Sequence, residues 1–369
     1  MLLVASTASW ALGAHSAPAQ HALAAAHWHE ASLVLVHRPG EEVFPGLLHP
    51  AAALFADTFS LEGAASEHRQ FVDMLKNRGV NEVVEVVDVL LEGTENPLGE
   101  ARRELAELAK SMTTLDVSRL EPQFRKAQQT YFANIVEKMA PRTLVRMVLE
   151  RPTVVLRHGK CGASMQESCL LADYQIQPLM NLYFPASERV FIGQGLRTNA
   201  VAIAEMLNYD VFDAREVIVV KDAWQNPQEM HLDTYFNLLD ANLALLVADR
   251  HERDCNVRRN SKCLQADVWI RNARGAYTLT RKNADFVRLL EERGIQIIAV
   301  SVEDQKAYGI NVLTIGPRRV VGAEGVSEAY KRALATESVD ATWVRFDNLA
   351  RGYGSADCIT QVLRRTPSK

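Results

Sequence analysis

Met230-His231-Leu232-Asp233-Thr234-Tyr235-Phe236, Gly309-Ile310-Asn311-Val312-Leu313-Thr314-Ile315 and Ala356-Asp357-Cys358-Ile359-Thr360-Gln361-Val362 share one pattern, in which polar residues run into an alternating strand. The first two continue through turn residues, Asp240-Ala241-Asn242 and Gly316-Pro317-Arg318, into a second strand, so each predicts a hairpin. Helices over Asn283–Arg293 and Val326–Ala335 separate the copies. The unit is therefore strand, strand, helix, strand, and each copy delivers a polar tip at the start of an equivalent strand. Packing around a common axis would make those tips converge, bringing His231, Asp233, Asn311 and Cys358 together from positions far apart in sequence.

Outward from the repeat the chain reads as α/β. Short apolar strands at Leu33–His37, Val83–Val87, Val217–Val220 and Ile295–Val300 alternate with amphipathic helices such as Glu67–Asn77. From Gly93 to Glu150 the pattern turns all-helical, with Ala101–Met112, Pro122–Met139 and Pro141–Leu149 following one another without a strand. Within the second of these, Phe124, Ala127, Tyr131, Ile135 and Met139 recur at helical spacing and predict a core-facing stripe. The expected organisation is a poorly ordered, Ala-rich segment 1–30 and a single α/β catalytic domain 31–369 with a helical insert at 94–150.

With 369 residues, 48% of them hydrophobic, the chain can bury a sizeable core. A formal charge of -4 with intermixed signs offers no basic field for a phosphate backbone, so nucleic acid is not expected as a partner. Nor is a membrane, because no run reaches the ~18 apolar residues of a span. The five cysteines, Cys161, Cys169, Cys255, Cys263 and Cys358, are odd in number and lack Cys-x-x-Cys spacing, which predicts free thiols in a reducing compartment. No Lys or Arg precedes Arg38, so the start has neither an Arg-rich transit composition nor the positive end of a secretory signal. His21, His27 and His29 read as incidental in an Ala-rich tail.

His231 and Asp233 are two positions apart, which on a strand puts both side chains on one face with Leu232 in the core behind them. Alone, the pair is open to three readings: half of a metal site, an acid/base with a substrate-gripping carboxylate, or a satisfied polar pair at a strand end. A metal is set aside, since no third and fourth ligand cluster accompanies the pair. Cys358 follows Arg351-Gly352-Tyr353-Gly354-Ser355, whose glycines allow close backbone approach, and stands at the head of the final strand. Lone cysteines are commonly small buried hydrophobes, and the other four keep that reading. Cys358 departs from it by occupying the repeat-equivalent position to the histidine, since a thiol beside an imidazole is what covalent catalysis needs. Asp357 beside it raises rather than lowers the thiol pKa. Arg197, in Gly193-Gln194-Gly195-Leu196-Arg197-Thr198 before a helix that Thr198 or Asn199 would cap, is either a carboxylate fork or a surface arginine.

At these residues the chain resembles arginine deiminase, a member of the guanidine-modifying hydrolases, and especially the protist and algal branch. Val34-Leu35-Val36-His37-Arg38-Pro39-Gly40-Glu41-Glu42 is similar to the family's first strand and turn. Gly195-Leu196-Arg197-Thr198, the His231-Leu232-Asp233 segment, Gly309-Ile310-Asn311-Val312-Leu313 and Tyr353-Gly354-Ser355-Ala356-Asp357-Cys358 occur in the family's order, with a helical insert where the family carries one. The resemblance implies a pseudo-fivefold α/β propeller (pentein) around a central pocket. It implies that Cys358 attacks the guanidinium carbon of L-arginine and that His231 moves the protons. Asp233 would bond the guanidinium, Arg197 and Arg351 the α-carboxylate, and Asn181 and Asn311 complete the substrate site. Ammonia and L-citrulline would be the products. No metal or organic cofactor is implied, a homo-oligomer is left open, and the cytoplasm is the expected location, with an organellar address through the Ala-rich start as the alternative. Amidino transfer and methylarginine hydrolysis are the neighbouring activities, and the insert favours deimination.

The pattern departs from the family at two carboxylate motifs, Phe-x-Arg-Asp and Glu-Gly-Gly-Asp, neither of which occurs here. From Asn181-Leu182 the sequence passes directly to Tyr183-Phe184-Pro185-Ala186-Ser187-Glu188-Arg189, with Ser187 where the first aspartate would be counted. A segment is expected to be missing at Asn181–Phe184, leaving one repeat incomplete, and Asp357 stands where the family has a histidine. Each lost partner for a buried cation costs about 3–5 kcal/mol. That predicts a crippled hydrolase, or alternatively an inactive or truncated paralogue that binds arginine in a regulatory role.

Overall fold

The computed structural model describes residues 26–53, 55–161, 167–175, 189–195, 198–212, 214–224, 229, 231–251, 263–352 and 354–366. The chain forms two compact units, one built from Pro39–Leu48 and Glu85–Leu182 and the other from Pro18–Arg38, His49–Val84 and Tyr183–Lys369.

In the first unit, helices Val86–Leu91, Glu100–Met112, Pro122–Lys138 and Pro141–Glu150 bury Leu90, Leu105, Ala109, Val136, Leu144 and Val148 together. Two of the helices begin with proline, whose missing N–H costs nothing in the first turn, and Arg151 closes the last in the left-handed region at φ 46°. The core-facing stripe predicted for Pro122–Lys138 is displaced. Phe124 and Tyr131 are exposed; Met139 packs inward as expected, but its companions are Phe132 and Val136. The predicted run of uninterrupted helices also contains a short strand, Thr114–Asp116, parallel to Thr153–Cys161, which in turn pairs antiparallel with Glu167–Gln175.

Among the described residues the second unit holds four small sheets. Two of them realise the predicted repeat. Phe236–Asp240 and Leu243–Val247 form a hairpin, and, past two strands that belong to another sheet and a helix, Gln296–Val300 joins parallel to the second strand. Leu313–Gly316, Arg319–Ala323, helix Glu328–Thr336 and Asp340–Val344 repeat that order. Leu243–Val247 is buried throughout because it is the central strand, covered on both faces, so its sequence is continuously apolar rather than alternating. The third sheet runs Tyr277–Asp285, Gln265–Arg271, Glu216–Lys221, Arg189–Gln194, and the fourth pairs the last strand, Thr360–Thr366, with Glu30–Val36 and then Glu82–Glu85. The fold is thus mixed α/β with several small sheets.

Boundaries moved most where strand and helix signals compete. The expected helix Asn283–Arg293 is strand to Asp285 and helix only over Phe286–Glu291, with Asp285 capping it. Helix Glu67–Asn77 begins six residues earlier, at Leu61, because the Ser60 hydroxyl accepts from Gly63 N at 3.0 Å. The cysteine expectation is corrected as well. Cys169 and Cys263 are disulfide-bonded, and Cys358 is the free cysteine among the described residues.

Candidate active site

The three polar tips lie outside the strands that follow them. His231 caps a single 3-10 turn, Leu232–Thr234, and the strand starts only at Phe236. Thr234 Oγ1 donates to His231 O at 2.6 Å, closing the turn on itself. Gly193 permits the turn to sit close, since a Cβ there would stand 3.2 Å from Leu232 Cβ. Asn311 precedes strand Leu313–Gly316, and Cys358 lies in a turn before strand Thr360–Thr366. A turn rather than a strand suits these residues, because a ladder would have engaged their backbone groups in pairing and fixed the side chains across the sheet.

Four of the residues singled out from sequence converge. Cys358 Sγ lies 3.1 Å from Asp233 Oδ2 and 3.9 Å from His231 Nδ1, across 125 and 127 residues of sequence. Asn311 joins them: its Nδ2 donates to Asp233 Oδ2 at 2.7 Å and to Cys358 Sγ at 3.2 Å, and its Oδ1 accepts from Ser355 N at 2.7 Å. His231 is buried, while Asp233 and Cys358 are partly open. Asp233 Oδ1 is buried with no hydrogen-bond partner among the described residues.

Burial pushes the Cys358 thiol well above its usual range, and the Asp233 and Asp357 charges add to that, against the Asn311 amide. The resting group is accordingly a neutral thiol donating to Asp233. Burial and then the Asp233 charge likewise hold the Asp357 carboxyl far up, opposed by Arg365. Arg365, lowered to about 10 by its enclosure, donates to His29 O and Thr314 O at 2.8 and 2.9 Å. A cation placed beside Asp233 would offset that negative field and favour the thiolate.

Other residues are placed elsewhere. Arg351, on the turn Leu349–Gly352, is exposed, and its guanidinium bonds Thr58 O at 2.9 Å and lies 3.4 Å from Asp57. Arg197 and Asn181 lie outside the described residues. Two arginines went unnoticed in the sequence. Arg365 sits behind Asp357, and Arg250, 1% exposed, pairs with Asp222 at 3.0 Å and with Glu229 while stacking 4.4 Å over the Tyr235 ring. Glu229 and Tyr235 flank the His231–Asp233 turn, and Gln305 Nε2 ties Glu229 to Thr234 O, so Arg250 clamps both ends of that turn. Its sequence signal was slight, an arginine three residues after the end of the apolar strand Leu243–Val247.

The family model described as "Arginine deiminase" matches residues 52–189 and 185–365. The chain is 28% identical to an arginine deiminase of Halobacterium salinarum over 46% of its own length, and to one of Metamycoplasma arthritidis over 45%. These alignments span 40% and 37% of the two relatives. Among solved structures, SxtG, described as an amidinotransferase from Microseira wollei in the saxitoxin biosynthetic pathway, is similar at TM-score 0.45 and 12% identity, over 94% of this chain and 98% of that one.

Proposed function

The chain belongs to the arginine deiminase family, and from that premise we propose that it hydrolyses L-arginine to L-citrulline and ammonia through a covalent intermediate on Cys358. The observation that carries the reading is the meeting of Cys358 Sγ with His231 Nδ1 and Asp233 Oδ2. The guanidinium binds against Asp233 and offsets the negative charge that keeps the thiol protonated. The Cys358 proton passes to His231, the thiolate attacks the guanidinium carbon, and His231 returns that proton to the nitrogen that departs as ammonia. Water, deprotonated by His231, then adds to the amidino carbon, and breaking of the C–S bond releases citrulline and the thiolate. Asn311 holds the sulfur and Asp233 in register throughout. Arg197 and Arg351 take the α-carboxylate, the latter after leaving Thr58 and Asp57.

The strand, strand, helix, strand order of the small sheets in the second unit supports the propeller reading, pseudo-fivefold over 31–369 with a helical insert, which remains part of this proposal. The two stretches matched to the family meet at 185–189, beside Asn181–Phe184, which supports a missing segment there and with it the loss of two guanidinium-binding carboxylates. Turnover is accordingly slow, and a regulatory arginine binder is the second reading. Purified protein given L-arginine should form citrulline and ammonia in equal amounts, and Cys358→Ala should abolish both. Citrulline formation that survives this substitution overturns the mechanism, whereas calorimetric arginine binding without any product favours the regulatory reading.

A further inference from the structure

His231 and Asp233 lacked a third ligand in sequence, and the fold supplies one. The imidazole, carboxylate and sulfur donor atoms of His231, Asp233 and Cys358 all lie within 4.8 Å of one another. We propose that this cluster binds a borderline transition-metal cation, zinc(II) in its chemistry, which takes Cys358 as thiolate and holds the nucleophile out of use.

The donor set is one thiolate, one imidazole and one carboxylate, the three side-chain types that zinc accepts. Ligand bonds of about 2.0–2.3 Å at tetrahedral angles put neighbouring donors about 3.3–3.6 Å apart. The sulfur lies 3.9 Å from His231 Nδ1 and 3.1 Å from Asp233 Oδ2, on either side of that separation, and all three donor atoms lie within 4.8 Å of one another, so side-chain adjustments of up to about an ångström close the site. Asp233 Oδ1, buried without a hydrogen-bond partner among the described residues, gives that carboxylate an acceptor that its bonds through Oδ2 do not use. Asn311 Nδ2 already donates to Sγ and to Oδ2 and can continue to do so once both are ligands, the kind of support from outside the coordination sphere that fixes ligand orientation. Because Cys358 and Asp233 are partly open, a water completes the fourth position. On binding, the S–H bond breaks, a Zn–S bond forms, the proton passes to solvent and no redox change occurs. The sulfur lone pair needed for attack is then engaged by the metal.

The test uses the full chain without arginine, so it stands or falls apart from the proposed reaction. Chelator-treated protein is titrated with Co²⁺ under inert gas. About one equivalent should produce a near-ultraviolet thiolate-to-cobalt band with strong visible bands of tetrahedral cobalt, displaced by Zn²⁺. Cys358→Ser should remove the charge-transfer band, and His231→Ala should weaken binding by about tenfold or more. To avoid dependence on variants that fail to fold, iodoacetamide labelling of Cys358 in the unmodified chain is followed by peptide mass spectrometry. Zn²⁺ should slow labelling at least about tenfold, and chelator should restore it. A thiolate band that persists in Cys358→Ser, or Cys358 labelling unchanged by Zn²⁺, overturns the proposal.

Discussion

Asn311 serves three partners with one amide: Asp233 and Cys358 through its nitrogen, and the Ser355 backbone through its oxygen. Such a knot tolerates little displacement, and Gly354 shows how little. A Cβ at that position would stand 2.6 Å from Cys358 Cβ and 3.2 Å from its sulfur, whereas one at Gly352 would meet nothing within 4 Å. Gly354→Ala should therefore push the nucleophile aside and lower kcat by about a hundredfold. Gly352→Ala should leave turnover unchanged, and a citrulline assay of the pair checks both. The glycines before Cys358 were visible in the sequence as permission for close approach, but which one needed it depended on a turn that sequence does not display. The raised thiol makes a second prediction at this scale. Only the thiolate reacts, and burial beside Asp233 keeps the proton on sulfur, so without substrate Cys358 labelling by iodoacetamide should climb with pH to a midpoint above the ordinary ~8.5. A rate already level at neutral pH would contradict it.

Helix Leu61–Asn77 connects the first strand's surroundings to the loop before the nucleophile. Its Glu67 carboxylate accepts from Asn348 N and Leu349 N, each at 3.0 Å, anchoring the turn that carries Arg351. One residue on, His68 is 1% exposed, and burial, with His37, Arg38 and Arg69 adding to it, lowers its imidazole to about 4 from 6.5. Between those pH values the unfolded chain takes up a proton that the native chain refuses. Stability contributed by this group is therefore whole above ~6.5 and is lost as pH falls toward 4, by about 3 kcal/mol in all. Urea denaturation at pH 7 and pH 4.5 should show His68→Gln losing less stability than the parent between the two; equal losses would refute this. Elements such as this helix were legible from apolar spacing, yet its start depended on a Ser60 cap that spacing ignores. Pro122–Lys138 misled for a related reason. Two apolar rows share that helix, and only the partners supplied by Leu105, Leu144 and Val148 decide which is buried.

At the scale of the molecule, the repeat was the most informative feature of the sequence. It placed two hairpins, ordered the strands after them and brought His231, Asp233, Asn311 and Cys358 together, because each copy ends its polar tip at the same point of an equivalent sheet. Arg250 and Arg365 stayed hidden, since a buried arginine is announced only by the carboxylates and carbonyls that surround it in space. The disulfides of Cys169 and Cys263 were missed because odd count and wide spacing argue about compartments rather than distances. The proposed mechanism has a sulfur and an imidazole 127 residues apart work on one carbon atom. The decisive measurement is acid quenching of the protein during exposure to saturating L-arginine, followed by mass spectrometry of the peptide bearing Cys358. An amidino adduct should appear on that sulfur and accumulate in His231→Ala, where its hydrolysis is slowed; citrulline formed with no adduct on Cys358, or an adduct on another residue, would contradict the mechanism.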